Sequence, residues 1–277
     1  MGQTDLIEDD ARRLEREANR GDGTAFAREL EDMSPDEIRK VADQLRKDHR
    51  QDPSLPEITL NFDRTGNLSS SVVKNEFWTE TTAYDRNRHR LYVDKDNGTG
   101  VTSHQVFDHD GSRVYRDIDR GRLGSEHIVE DGHGKREYSV KRDEQGNVTE
   151  VNNPGYGKIE YKYKPDGSLG EVHGLGTAFV EDHGKWYDKK RDPHHRHPVG
   201  DFKVNKDGSF TWNSSGDGMT MRTTYDVDGS TTTFERLRPN DPTITERQDP
   251  QGNMTDRQVV NANGKLVSDW HAPKKRP

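Results

Sequence analysis

Two periodicities divide the chain. Over the first fifty residues the apolar positions recur every three or four: Leu6, Ile7, Ala11, Leu14 and Ala18, then Phe26, Leu30 and Met33, then Ile38, Val41, Ala42 and Leu45. That spacing places them on one face of a helix, and it predicts three short amphipathic helices. Gly21-Asp22-Gly23 ends the first, and Thr24 is placed to cap the second. Ser34-Pro35-Asp36-Glu37 starts the third. The serine hydroxyl can accept from the third helical N–H, Pro35 suits the first helical position, and Glu37 completes a capping box. Asp52-Pro53-Ser54-Leu55-Pro56 then breaks the helix. Such helices are marginal alone, so they are expected to pack on one another or to cap the open end of a sheet.

From Ile58 onward the period becomes two. Ile159, Tyr161 and Tyr163 alternate with Lys158, Glu160, Lys162 and Lys164, which puts rings on one face of a strand and charges on the other. Between such runs a polar turn ending in Gly recurs: Phe107-Asp108-His109-Asp110-Gly111, Tyr163-Lys164-Pro165-Asp166-Gly167 and Tyr225-Asp226-Val227-Asp228-Gly229. Gly66-Asn67, Gly146-Asn147, Asp207-Gly208, Gly252-Asn253 and Asn263-Gly264 punctuate the rest. Asn and Gly supply the positive φ that tight hairpins need. Many of these glycines are about 20–23 positions apart, which suits one strand pair with its connections. Near Arg86-Asn87 and His183-Gly184 the spacing is larger, so there the turn has diverged or a loop has been inserted. The expected fold is mainly β: repeated antiparallel hairpins forming an open, twisted single sheet, with a short N-terminal α-helical head. The expected divisions are a head over 1–50, a linker over 51–57, a β-repeat region over 58–270 and a basic tail over 271–277.

Composition narrows the chemistry. Only 27% of the 277 residues are hydrophobic, so the expected core is thin. The net charge of −8 argues against a general nucleic-acid binder, which needs a basic footprint. There is no Cys, hence no disulfide, thiolate metal site or Cys nucleophile. The start carries no basic and apolar leader, and no stretch is long and apolar enough to span a membrane. These features point to a cytoplasmic location, with export by a non-classical route as the alternative.

Candidate chemistry is sparse. His194-His195-Arg196-His197 is the sharpest cluster; His195 and His197 would share a face of an extended segment, with His183 and Asp192 upstream as further ligands for a transition metal. Asp108, Asp110, Asp226 and Asp228 form Asp-x-Asp-Gly turns that suit structural calcium, although turn chemistry alone accounts for the same residues. Trp78, Trp186, Trp212 and Trp270 offer either a binding platform for a glycan or peptide or the bulk of a thin core. No nucleophile elbow and no phosphate-cradling loop is present.

The strand Gly157-Lys158-Ile159-Glu160-Tyr161-Lys162-Tyr163-Lys164-Pro165-Asp166-Gly167-Ser168-Leu169 resembles the YD repeat of RHS-type proteins. Asp143-Glu144-Gln145-Gly146-Asn147-Val148-Thr149, Asp249-Pro250-Gln251-Gly252-Asn253-Met254-Thr255 and Asn261-Ala262-Asn263-Gly264-Lys265-Leu266-Val267 are similar to its second half, and Tyr225-Asp226 keeps the Tyr-Asp pair. Lys164 stands where the repeat has Asp. The resemblance covers residues 58–270 unevenly. It implies a long antiparallel sheet that, in large members, spirals into a shell around a toxic domain. This chain holds too few repeats for a closed shell, and Asn253 after Asp249-Pro250-Gln251-Gly252 departs from the family's self-cleavage motif. The expected function is non-catalytic binding or scaffolding toward a protein, peptide or glycan, without a cofactor. The alternatives are a metal-dependent enzyme centred on the His-rich loop, and an exported envelope or toxin-associated accessory protein.

Overall fold

A computed structural model describes residues 3–21, 23–131, 133–216, 219–236, 238 and 240–273. The expected basic run Lys274-Lys275-Arg276, and Asp22 of the first helix stop, lie outside the described residues. Three helices, α1 (Gln3–Arg20), α2 (Gly23–Asp32) and α3 (Pro35–Gln51), precede twenty strands. The strands run antiparallel in chain order, thirteen in one sheet and seven in a second, and neither sheet closes on itself. The mainly β fold, the hairpin repeat and the helical start match the sequence reading; the strands divide between two sheets where one was expected. The chain forms two compact units, Met1–Gly121 with Val129–Lys135, and Arg122–Ile128 with Arg136–Pro277.

The first unit holds the helices and strands β1 (Glu57–Phe62), β2 (Leu68–Lys74), β3 (Thr79–Tyr84), β4 (Arg90–Asp96), β5 (Thr102–Phe107) and β6 (Arg113–Asp119). The periodic residues of the three helices, among them Leu14, Leu30, Ile38 and Leu45, are buried against Ile58, Leu60, Leu68 and Val73 of the sheet. Helix α3 begins as its sequence predicts: Ser34 Oγ accepts from Glu37 N at 3.3 Å, and Ser34 N donates to the Glu37 carboxylate at 2.6 Å. Burial of Tyr84, whose hydroxyl lies 2.9 Å from Ser71 Oγ, pushes its pKa up to about 12.

The second unit holds β8 (Arg136–Arg142), β9 (Val148–Asn153), β10 (Gly157–Tyr163), β11 (Leu169–Gly174), β12 (Thr177–Asp182) and β13 (Lys185–Asp188) of the first sheet. It also holds the whole second sheet: β14 (Asp201–Val204), β15 (Phe210–Gly216), β16 (Met219–Tyr225), β17 (Thr231–Arg236), β18 (Thr243–Gln248), β19 (Met254–Val260) and β20 (Leu266–His271). Strand β7 (Ser125–Glu130) contributes to both units. The division into two sheets follows the sequence between β13 and β14, where Pro193 and Pro198 cannot donate to a ladder. The rings of β14–β16 then turn inward onto β8–β12. Phe179 lies 4.7 Å from Phe202, Phe202 is parallel to Trp212, and Phe210 stacks on Tyr225 at 4.5 Å. Val151, Ile159 and Val172 complete this core.

Ten hairpins among the described residues share one five-residue turn. In each, the first residue's N–H donates to the fifth residue's carbonyl and the fourth residue's N–H donates back to the first. Asp63, Asp85, Asp108 and Asp131 open four of them at 22-, 23- and 23-residue intervals (85−63, 108−85, 131−108). The fourth residue adopts positive φ and is Gly in nine cases, the geometry of a turn that ends in a glycine bulge. The tenth is Arg88, at φ 70°. Its guanidinium donates to the carbonyls of Leu30, at 3.1 Å, and Met33, satisfying the carbonyl end of α2. The turn that looked diverged in sequence therefore keeps its geometry and exchanges Gly for a cation that ties a helix to the sheet.

Candidate functional site

The His-rich segment is built around Asp188. This buried carboxylate accepts from Thr177 Oγ1 at 2.7 Å and from the backbone N–H groups of Lys190 and Arg191, which fixes the start of the loop. Beyond it, His195 Nδ1 lies 2.9 Å from one oxygen of Asp182, and His183 Nδ1 lies 2.6 Å from the other. The hydrogen bond with His195, followed by the charge of His183, holds Asp182 below the usual carboxylate range. The His195 ring also stacks on Tyr187 at 4.8 Å. Of the four expected metal ligands, His183 and His195 share a carboxylate, but it belongs to Asp182. Asp192 is taken up by the backbone N–H of His197. No three His, Asp or Glu side chains among the described residues are arranged to hold a metal ion. The arrangement fastens a loop to the β12–β13 hairpin. Asp182 escaped the sequence reading although it sits in the segment Val180-Glu181-Asp182-His183, just ahead of the His-rich run.

The Asp-x-Asp-Gly carboxylates are likewise engaged within their own turns. Asp110 accepts from Ser112 N, and Asp228 accepts from both N and Oγ of Ser230. The tryptophans divide by environment. Trp186 is buried, Trp212 is half-buried with its indole N–H donating to Val199 O at 2.9 Å, and Trp78 packs on the helical core beneath the Lys95 ammonium. Trp186 and Trp212 thus add bulk to the core of the second unit, as Trp78 does at the edge of the first. Trp270 on β20 is the exposed one.

What the sheets do present is two open grooves, one on each unit. On the first unit, cross-strand register lines up Thr81, Asp94, His104 and Asp117 in one row and Thr79, Asp96, Thr102 and Asp119 in the next. These rows floor a groove of about 450 Å³. His104 Nδ1 lies 2.5 Å from Asp94 Oδ1, and its ring sits between Tyr92 and Tyr115 at 5.7 and 6.1 Å. Four carboxylates, Asp94, Asp96, Asp117 and Asp119, line the groove together with Lys95 and the hydroxyls of Thr79, Thr81, Thr102 and Ser103.

On the second unit, the outward residues of β14–β18 form the matching pair of rows. In register, one row runs Lys203, Thr211, Thr224, Thr232 and Arg247 and the other Asp201, Asn213, Arg222, Phe234 and Thr245, with Arg247 and Asp201 at the row ends and the rest lining the groove. They floor a groove of about 400 Å³ in which Arg222 lies over the Phe234 ring at 5.1 Å. Among the described residues, no carboxylate lines it. Sequence reading missed both grooves. Their signal was alternation: Thr220-Met221-Arg222-Thr223-Thr224-Tyr225 and Thr231-Thr232-Thr233-Phe234 place every second residue outward, but which strand lies beside which is not written in a single strand.

No family model and no curated protein matches the chain. Among solved structures it is similar at a low level to an S. aureus TarM mutant in complex with fondaparinux, alpha-GlcNAc-glycerol and UDP, with 13% identity, a TM-score of 0.21, and coverage of 50% of this chain and 24% of that one. TarM itself gives 14% identity and a TM-score of 0.20 over the same shares. A Photorhabdus luminescens Tc holotoxin pore gives 11% identity and a TM-score of 0.18 over 74% of this chain and 15% of that one. The chain thus spans a quarter or less of these proteins, and at such scores the likenesses carry no argument. No helix among the described residues is long and apolar enough to cross a membrane.

Proposed function

We propose that the chain is a non-catalytic binding protein that engages a protein, peptide or glycan through the outer faces of its hairpin sheets. One observation carries this reading. The buried aromatic and aliphatic side chains fill the two cores, with Phe77, Leu123 and Trp270 among those left at the surface, while each unit keeps an outward groove whose floor is mainly rows of hydrogen-bonding side chains on paired strands. Strands hold such groups at fixed spacing, so little ordering is left to be done on binding. The shared Asp-x-x-Gly turns, together with the Tyr-rich strand β10, support a YD-like repeat as the source of this scaffold.

Glycan and peptide arrays probed with the full chain test the reading. A bound ligand should be lost, by about tenfold or more in affinity, from either the Asp94→Asn/Asp117→Asn or the Lys203→Ala/Arg222→Ala double variant while the melting temperature holds. Ligands retained equally by both doubles would overturn it.

A further inference from the structure

We propose that the groove on β14–β18 is a binding site for an acidic glycan, a sugar chain carrying carboxylate or sulfate groups; this deepens the binding reading above and rests on it. The first observation is where cations sit in this chain. Acidic residues outnumber basic ones 51 to 43. Along the sheets, four strand cations are set directly opposite a carboxylate: Lys95 faces Glu80, Lys141 faces Glu150, Lys162 faces Glu171 and Arg257 faces Glu246. Each of these four pairs closes as an ion pair. The two groove cations have no carboxylate directly opposite. Lys203 stands opposite Thr211, and Arg222 stands between Asn213 and Phe234. Two cations therefore face solvent across a floor of neutral groups, with Asp201 beyond Asn213 at the end of the row, and an anionic ligand would meet complementary charge there.

The neutral floor says which kind of anion. Thr211, Thr224, Thr232 and Thr245 offer hydroxyls and Asn213 offers an amide, on neighbouring strands about 4.8 Å apart. Hydroxyl and amide groups both donate and accept, which suits sugar hydroxyls lying across the strands. The Phe234 ring lies under the Arg222 guanidinium and steadies it among the hydroxyls. An acidic peptide would draw its main-chain bonds from a sheet edge, and this is a sheet face. Single-stranded nucleic acid wants successive stacking platforms and a dense cationic track; the groove has one ring and two cations in a chain of net charge −8. Charge spaced by hydroxyls is the pattern that fits.

Titration calorimetry of the full chain with an oligogalacturonate and with a sulfated galactan tests the assignment. A neutral galactan, a poly-glutamate peptide and an oligothymidylate of similar length serve as comparators. At least one acidic glycan should bind, more tightly than every comparator, and its affinity should fall about tenfold or more in Lys203→Ala/Arg222→Ala. Arg222→Lys, which keeps the charge and gives up the planar fork over Phe234, should fall between, and Lys141→Ala/Lys162→Ala, which removes two strand cations outside both grooves, should leave binding unchanged. Circular dichroism melts confirm that each variant is folded; if the double variant is not, Arg222→Lys and Phe234→Leu carry the comparison. Binding of neither acidic glycan, equal binding of poly-glutamate or oligothymidylate, or indifference to every groove variant would overturn the proposal. If the acidic glycans fail while another ligand responds to changes on either face, the ligand class is wrong and the binding reading stands. If nothing responds to either face, both fall.

Discussion

The two units solve one problem by different means. Each must cover one face of an antiparallel sheet in a chain with few apolar residues. The first covers it with helices and aliphatic side chains, Leu14, Leu30 and Leu45 against Ile58 and Leu60. The second covers it with another sheet and with rings, Phe179, Phe202, Phe210 and Trp212. Helices present a ridge of side chains every turn, so leucines fill the space over a sheet. Facing sheets stand about 10 Å apart, and large rings from both sides are needed to close that gap. The outer faces then diverge as well, carboxylates on the first unit and cations among hydroxyls on the second.

Truncating the centre of each core separates the two solutions most sharply. Leu30→Ala, at a position with no exposure, should cost the first unit about 3 kcal/mol. Hydrogen exchange should show faster opening across α1–α3 and β1–β2, with the amides of β9–β11 unchanged; equal acceleration in both would deny the independence of the cores. In the second unit the vulnerable point is a backbone contact. A Cβ on Gly155 would lie 2.4 Å from the Gly229 carbonyl oxygen, and neither chain can give way locally. Asn153 Nδ2 donates to Val227 O at 3.1 Å and the Tyr156 hydroxyl donates to Asp226 O, so these two loops are fastened on both sides. Gly155→Ala should cost about 2 kcal/mol and register in the fluorescence of Trp186 and Trp212. A loss below about 0.5 kcal/mol would mean the loops separate freely.

Smaller effects sharpen the picture further. Arg88→Ala leaves a side chain at positive φ and removes two bonds to the end of α2, for an expected cost of about 1.5 kcal/mol. Arg88→Gly removes the same bonds but relieves the backbone, so it should cost about 0.5–1 kcal/mol less than Arg88→Ala in urea unfolding. If Gly is the worse of the two, the turn is not strained. The smallest effect is in acid. Hydrogen bonds from Thr65, then from Asn67, hold exposed Asp63 below the ordinary carboxylate value, so its contribution is present at neutral pH and is lost as pH falls through that lowered value. Burial raises Asp226 instead, so the folded second unit takes up a proton more readily than its unfolded form and gains stability as pH falls toward the ordinary value. Melts from pH 7 to pH 3 should show Asp226→Asn neutral or stabilising at pH 7, with the advantage shrinking in acid. Asp63→Asn should do the reverse.

Local rules were legible. The capping box at Ser34, the helical stripes, the Gly-ended turns and the alternation of β10 can be read one segment at a time, because each depends on residues a few positions apart. The five-residue turn at Asp85 was not legible, because the residue that replaces its Gly is explained by a helix 55 positions away in the chain (Met33 to Arg88). The second sheet was not legible either: nothing within β14–β16 says that Phe202, Phe210 and Trp212 meet Phe179 and Tyr161. The contacts of the His-rich loop were not legible for a related reason. Its residue types suited a metal, but Asp182 and Tyr187, which engage His195, come from the strands beneath it. The grooves depend on register alone, and register is a property of pairs of strands.

The order of the strands has a consequence for how the chain acquires this structure. Every strand's ladder neighbour is the one just before or just after it in sequence, so pairing closes short loops only, at little entropic cost. A β-protein with such nearest-neighbour wiring can zip up hairpin by hairpin from the moment a strand and its turn are available, without waiting for a distant partner. Each of its ten bulged turns among the described residues depends on five consecutive positions and so needs no distant contact to form. Late events should be few: the helices settling over β1–β4, and the rings of β14–β16 closing on β8–β12.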